Sequence, residues 1–338
     1  MSRSSRAPSI ADVARLAGVS VPTVSRVVTG SVPVSAERTD RVMAAIRELG
    51  YRPNGAARAL VTGRQSVIAV LASNTTRYGY ATTLQGIEEA ARLAGFIVMI
   101  TVIETDEPGA VQGAVDLALS HPVAGVVVLK FDPPGAAALH QLPDGLPVVA
   151  ASGGRGDGVP HAVLDDTAGA MAATEYLLGL GHRTVHYVAV PTSGRRAGRA
   201  TGWKRALTRA GVEVPPVLDA GWDPERAYEI GRELAPRADV TAVLCGNDEL
   251  AMGLMRGLHE AGRTVPGDIS VVGFDGHPMG RFWTPALTTV EQDFADLGRR
   301  SFALLGGLLG TGHAAKTSSS AARLVVRESS GPPPAAGP

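Results

Sequence analysis

A chain of 338 residues, 45% hydrophobic and 19% charged, is too long for one core and has the composition of an ordinary globular protein of two or three domains. It holds one cysteine and no run near the ~20 apolar residues of a membrane span, which excludes an internal disulfide framework, a multi-cysteine metal site and a transmembrane helix. The 32 basic and 32 acidic residues cancel, but residues 1–64 hold ten arginines against four carboxylates, so a head of +6 precedes a body of −6, the field on which a polyanion docks.

The opening MSRSSRAPS lacks the apolar segment of a secretory signal, so the expected compartment is the cytoplasm. Residues 9–30, SIADVARLAGVSVPTVSRVVTG, predict two short amphipathic helices joined by a tight turn. Ser9 caps the first, and Asp12 stands three residues on, where a carboxylate suits a helix N-terminus. Ile10, Val13, Ala14 and Ala17 form one apolar face, and Gly18 follows where a helix end takes a left-handed residue. Ser20 caps a second helix with Pro22 in its first turn, where a missing N–H costs nothing. Val21, Val24 and Val28 give that helix its buried stripe. Thr23, Ser25, Arg26 and Thr29 line its other face, all able to donate hydrogen bonds to phosphates or base edges. This is the form of a helix-turn-helix reader of double-stranded DNA.

A third helix, 36–49, with Val42, Ile46 and Leu49 at core spacing and Gly50 as its stop, completes a three-helix head over 8–50. Residues 51–64 then form a linker. Pro53-Asn54 breaks the chain, and Asn54 caps a brief helix through Leu60 that is too short to be stable alone. From Ser66 apolar runs alternate with helical stretches: SVIAVLA, FIVMITVI, GVVVLK, PVVAAS, TVHYVAV, TAVLCGN and ISVVGFD. Between them lie segments such as 82–94, 108–120, 167–180, 197–210, 223–235 and 248–262. Continuous β-branched runs joined by helices predict parallel sheets covered on both faces, and eight or more such units predict two sheets. Cys245, in AVLCG, reads as a buried strand residue. The tail 329–338, SSGPPPAAGP, is expected to be disordered. Ligands of open α/β sheets sit beyond the carboxyl ends of the strands, which makes Ser73, Ser152, Asn247-Asp248 and Asp275 the candidates.

The runs DVARLAGVS at Asp12–Ser20, TVSRV at Thr23–Val27, VSAERTDR at Val34–Arg41 and LGYRPNGAARAL at Leu49–Leu60 resemble the lactose-repressor/galactose-repressor family of bacterial transcription regulators, and the likeness continues to about residue 328. The resemblance implies a three-helix DNA-binding head at 8–50, a hinge at 51–64, and a two-lobed, periplasmic-binding-protein-like effector and dimerisation domain at 65–328. Lobe 1 is expected at about 65–163 and 293–321, and lobe 2 at about 164–291 and 322–328. The chain is expected to cross near 163–165, 290–293 and 320–323.

By resemblance the hinge helix pairs with its dimer mate and wedges Leu60 into the minor groove. DNA contact is then expected from Ser9, Ser20, Val21, Pro22, Thr23, Ser25, Arg26, Thr29, Asn54, Ala57 and Leu60, on a palindromic operator. The resemblance adds Arg199, Trp222 and Phe294 to the effector site, beside Ser73, Ser152, Asn247 and Asp275. The set suits a carbohydrate. Asp275 accepts from vicinal hydroxyls, Arg199 forks to two oxygens, Asn247 does both, and Trp222 and Phe294 wall a sugar ring. It points to a galactoside-like effector that releases a repressor from its operator. A galactoside-binding member of the family carries an aspartate at the position of Ser152, and the loop NTTRYGY departs from its counterpart there, so the outer end of the ligand is expected to differ. Without the leucine heptads of tetrameric members, a homodimer is expected.

Rival readings fare worse. A secreted sugar-binding protein needs a signal peptide and no DNA-binding head. An enzyme is not indicated: the GGRGDG run at 153–158 fails the dinucleotide spacing, and no G-x-S-x-G, H-E-x-x-H or Walker run occurs. No cofactor, metal or membrane partner is implied. The live alternative is a family member whose ligand is a nucleobase or a phosphoprotein corepressor, with the opposite sign of switch.

Overall fold

Ser9 and Asp12 start the first helix by closing a capping box. Ser9 Oγ accepts from the Asp12 N–H, and Asp12 Oδ2 accepts from the Ser9 N–H at 2.9 Å. The Ser9 hydroxyl, which donates to Asp12 Oδ2 at 2.6 Å, and then the Ser9 N–H hold the Asp12 carboxyl down at about 2. The computed structural model describes residues 7–29, 32–52, 65–153, 158–191 and 198–335, which form two units, Met1–Ser66 and Val67–Pro338. In the first unit α1 (Ile10–Ala17) ends on Gly18 at φ 63, and α2 (Val21–Thr29) and α3 (Ala36–Leu49) follow. Val13, Ala14, Ala17, Val24, Val42 and Ala45 form its small core. Val21 does not join them; it is 40% exposed. It heads its helix, so its side chain leans back over the preceding turn, and Val27 packs against the core beside Val28.

The second unit carries β1 (Val67–Ala72), β2 (Ile97–Val102), β3 (Gly125–Lys130), β4 (Val148–Ser152), β5 (His161–Leu164) and β11 (Thr317–Ser320) in one six-stranded sheet. The order is β11-β5-β4-β3-β1-β2, parallel throughout. A second six-stranded sheet holds β6 (His186–Ala189), β7 (Val217–Asp219), β8 (Ala242–Cys245), β9 (Ser270–Asp275), β10 (Thr288–Glu291) and β12 (Arg323–Val325). Its order is β12-β10-β9-β8-β6-β7, and only β12 is antiparallel. Helices α4 (Tyr78–Leu93), α5 (Pro108–Leu119), α6 (Pro133–Gln141) and α11 (Phe294–Thr311) serve the first sheet. Helices α7 (Asp166–Gly179), α8 (Arg199–Ala210), α9 (Pro224–Leu234) and α10 (Asp248–Glu260) serve the second. Each sheet has apolar clusters on both faces, as its near-continuous aliphatic strands require.

The backbone passes between the two lobes after β5, after β10 and after β11. The second passage feeds α11 onto α4, and glycine makes that fit: a Cβ on Gly86 or Gly298 would run into the backbone of the facing helix. Cys245 is fully buried in β8, where burial pushes its thiol up.

One expectation is corrected by the tail. Ser329 is fully buried: its hydroxyl donates to the Val271 carbonyl at 2.6 Å and accepts from the Thr288 N–H at 2.9 Å. The Gly331 carbonyl accepts from Ser270 Oγ and pairs with His182 Nε2, both at 2.9 Å. The tail's composition offers few side chains to a core, but its backbone and one serine satisfy polar groups along β9 that burial would otherwise strand.

Candidate functional site

On the head, Ser20, Val21, Pro22 and Arg26 are exposed along α2, and Thr23, Ser25 and Thr29 are half-buried. Several hydroxyls are engaged within the helix. Ser20 Oγ accepts from the Thr23 N–H and lies 2.9 Å from Thr23 Oγ1, and Thr29 Oγ1 donates to the Ser25 carbonyl at 2.8 Å. Half-buried Ser9 is spent on its capping box. Arg26 has no carboxylate within 4 Å among the described residues, which leaves its donors for a partner. Asn54, Ala57 and Leu60 lie outside the described residues.

In the body the strand ends converge. On lobe 1, Ser73 follows β1 and its hydroxyl meets both Tyr80 and Asp132. Tyr80 donates to Asp132 Oδ2 at 2.6 Å, and Asp132 Oδ1 caps α6 through the Gly135 N–H. Ser152 ends β4, fully buried. Phe294 opens α11 and meets Tyr78 edge-on at 5.9 Å and Phe131 at 6.2 Å.

On lobe 2, Arg199 opens α8 and its guanidinium is buried. Nε donates to Asp166 at 3.3 Å, Nη1 to the Gly246 carbonyl and Nη2 to Gln292 at 3.4 Å, and Nη2 stands 2.7 Å from Asp275 Oδ1. That last approach is an ion pair without a directed hydrogen bond, so Asp275 Oδ1 is buried with no donor aimed at it. Asp275 ends β9 at φ 98, a left-handed backbone that a non-glycine residue adopts only under strain. Burial pushes its carboxyl up to about 7. Arg199 pulls it down, and the charges of Asp166 and Glu249 add to the rise. Asn247 caps α10, accepting from the Leu250 N–H at 2.8 Å and donating to Glu249 at 2.6 Å, so both ends of its amide are occupied. Beside it, Asp248 accepts from Thr289 Oγ1 at 2.6 Å and the His277 N–H at 2.5 Å. Burial pushes Asp248 up to about 8 against the Thr289 bond.

The lobes meet through rings. Trp222 faces Tyr80 at 6.4 Å and lies under the Arg77 guanidinium, and Tyr78 stands 4.9 Å from His277. A cavity of about 610 Å³ opens at the crossings, lined among others by Tyr78, Thr82, Gly276, Gln292, Phe294 and Arg323. The structure therefore gathers Arg199 and Asp275 into one polar cluster, and Trp222 and Phe294 into one aromatic set. Ser73 and Asn247 sit at strand ends but are bound up in local networks. Sequence reasoning missed Asp166, Gln292, Asp132, Tyr80, Arg77 and His277. Asp166 and Gln292 follow β5 and β10, strands too short to stand out, and they would have qualified as strand-end polar residues.

Among the described residues no group of three His, Cys, Asp or Glu side chains is placed to hold a metal ion, and no helix is long and apolar enough to cross a membrane.

The family model described as bacterial regulatory proteins, lacI family, matches residues 9–54, and that of a periplasmic binding protein-like domain matches 174–330. The HTH-type transcriptional repressor PurR of Erwinia tasmaniensis is 33% identical, over 88% of this chain and 89% of its own. The lactose operon repressor of Escherichia coli is 31% identical, over 86% and 81%. A crystal structure of the lac repressor dimer bound to operator and the anti-inducer ONPF superposes with a TM-score of 0.86 at 29% identity, covering 96% of this chain and all of that one. The HTH-type transcriptional regulator CelR of Thermobifida fusca is 36% identical, over 89% and 91%.

Proposed function

Because this chain belongs to the lacI family of bacterial regulatory proteins, and so is a DNA-binding transcriptional repressor and not an enzyme, we propose that it controls carbohydrate-utilisation genes and leaves its operator when a sugar enters the cleft between its lobes. The observation that carries the sugar reading is Asp275. A buried carboxylate oxygen without a directed donor, on a strained strand end facing Arg199, Asp166 and Gln292, is an acceptor for ligand hydroxyls. Tyr78, Phe294 and Trp222 offer ring faces and edges for the C–H side of a pyranose. A galactoside-like effector follows from the residue types at Arg199, Trp222, Asn247, Asp275 and Phe294.

The likeness to PurR and the aromatic set support a second reading, a nucleobase corepressor that strengthens DNA binding. One screen separates them. Mono- and disaccharides, adenine and guanine are tested for a rise in melting temperature, then for their effect on an operator recovered from randomised duplexes. Sugars that stabilise the protein and release DNA support the first reading; a base that stabilises it and tightens DNA binding replaces it.

On DNA we assign the α2 face, with Arg26 as the base reader and Val21 and Pro22 contributing shape and apolar contact. Asn54, Ala57 and Leu60 are assigned to the hinge contact with the minor groove. The homodimer is assigned to apolar side chains that the protomer leaves in water. Leu93 (78% exposed), Ile97, Ile100, Val102 and Leu117 lie around the free edge of β2 on lobe 1. Met279, Phe282 (66% exposed) and Trp283 lie on lobe 2.

A further inference from the structure

Every N–H-bearing nitrogen of Arg199 already faces a protein oxygen, so the inner end of the cleft has little donor capacity to spare. The spare donors are at the outer end. Arg77 precedes α4 and is placed by a turn in which Asn74 Oδ1 accepts from the Thr76 and Arg77 N–H groups, both at 2.8 Å. Its guanidinium lies 4.8 Å from the centre of the Trp222 ring, on the opposite lobe. Among the described residues it has no carboxylate within 4 Å and no side-chain hydrogen bond. Trp222 is equally constrained, between the Asp219 turn that binds the Gly221 N–H at 2.9 Å and the Asp223 cap of α9.

A half-buried guanidinium whose central carbon lies over an indole ring, with no side-chain hydrogen bond among the described residues, keeps N–H donors of its fork for a ligand. Those donors call for oxygens. The guanidinium also covers one face of Trp222, so that face is closed to an apolar aglycone. Resting on the sugar reading above, we infer that Arg77 determines specificity for the outer half of the effector. It selects an oxygen-rich second sugar ring over an aryl or alkyl aglycone, which makes the effector a disaccharide.

The test uses the full-length protein as wild type, Arg77→Leu and Arg77→Lys. Each is titrated calorimetrically with three matched probes in both the β-galactoside and β-glucoside series: the disaccharides lactose and cellobiose, the 4-nitrophenyl glycosides, and the methyl glycosides. Tryptophan emission is followed in parallel. Wild type is expected to prefer one disaccharide over its nitrophenyl counterpart. Arg77→Leu is expected to weaken that disaccharide about tenfold, shift the methyl glycoside less than twofold, and equal or improve on wild type for the nitrophenyl glycoside. Arg77→Lys keeps the charge but loses the fork, and falls between. The emission change on disaccharide binding should shrink in Arg77→Leu, because the group over Trp222 no longer moves with the ligand. Equal weakening of all three probes, or an unaffected disaccharide, overturns the role of Arg77. Wild type that takes methyl and nitrophenyl glycosides but no disaccharide overturns the inference alone. Wild type that takes no sugar overturns the sugar reading and the inference with it.

Discussion

Asp275→Asn tests the cleft through pH as well as through affinity. Burial raises the wild-type carboxyl to about 7, so it is about 90% ionised at pH 8 and about 10% at pH 6. Hydrogen bonds to a charged acceptor contribute about 1.5–3 kcal/mol and those to a neutral one about 0.5–1.5, so the ionised carboxylate gains about 1–1.5 kcal/mol over the amide. That is about 5- to 10-fold in effector affinity at pH 8. At pH 6 most wild-type molecules carry a neutral carboxyl in the same place, and the ratio should shrink to about twofold. The assay is a calorimetric titration of the best sugar from the screen at both pH values, with operator release measured on the same preparations. The variant should need more sugar for release at pH 8, as a super-repressor, and behave almost like wild type at pH 6. Wild-type affinity that does not change between pH 6 and 8 refutes the assignment of Asp275 as the ionised acceptor. A variant indistinguishable from wild type at pH 8 refutes its place in the site.

Arg26→Ala should weaken operator binding by about 1–3 kcal/mol and relax one base position, as read by selection on randomised duplexes at matched salt. The raised carboxyls of Asp248 and Asp275 make the folded state bind protons more tightly than the unfolded one. Stability from this source is therefore full below about pH 4 and is lost as pH rises through about 7–8. Melting temperatures from pH 5 to 8.5 should fall, and Asp248→Asn should remove roughly half of that slope. Ile100→Glu or Phe282→Glu places a charge in the assigned dimer face and should shift the monomer–dimer equilibrium toward monomer in sedimentation, with a matching loss of operator affinity.

Local chemistry made the head legible. Ser9 with Asp12, Gly18, Pro22 and Gly50 mark helix ends by rules that act within four residues, and both ends of α1, the start of α2 and the end of α3 fall where those rules place them. The long aliphatic strands were legible for the same reason, since a strand buried on both faces has one available composition. What stayed hidden depends on distant partners. TTVE in β10 and TSSS in β11 look like loops until a neighbouring strand pairs with them. With β10 unseen, Gln292 was unseen too, and Asp166 was missed behind the four-residue β5. Arg77 over Trp222 joins residues 145 apart across two lobes, and no periodicity encodes that. The tail misled because its composition describes side chains, whereas its anchorage is mostly backbone.

The position of the cleft explains why a ligand there can act at a distance. A ligand shifts a two-state balance only by its difference in affinity for the two states, so it must touch groups whose separation changes. Asp275 and Arg199 belong to lobe 2, and Tyr78 and Phe294 to lobe 1. Gln292 sits between them on the passage from β10 to α11, donating to Asp166 at 2.7 Å and accepting from Arg199. On the sugar reading proposed above, a ligand on Asp275 would draw on the Arg199 that also bonds Gln292, and its ring would meet the aromatic residues that open α11 and α4. Asp275 is also the residue held at φ 98, a conformation that costs on the order of 1–3 kcal/mol in a non-glycine residue. Relief of that strain in one lobe arrangement and not in the other would contribute an energy of the size that an effector needs in order to bias the switch.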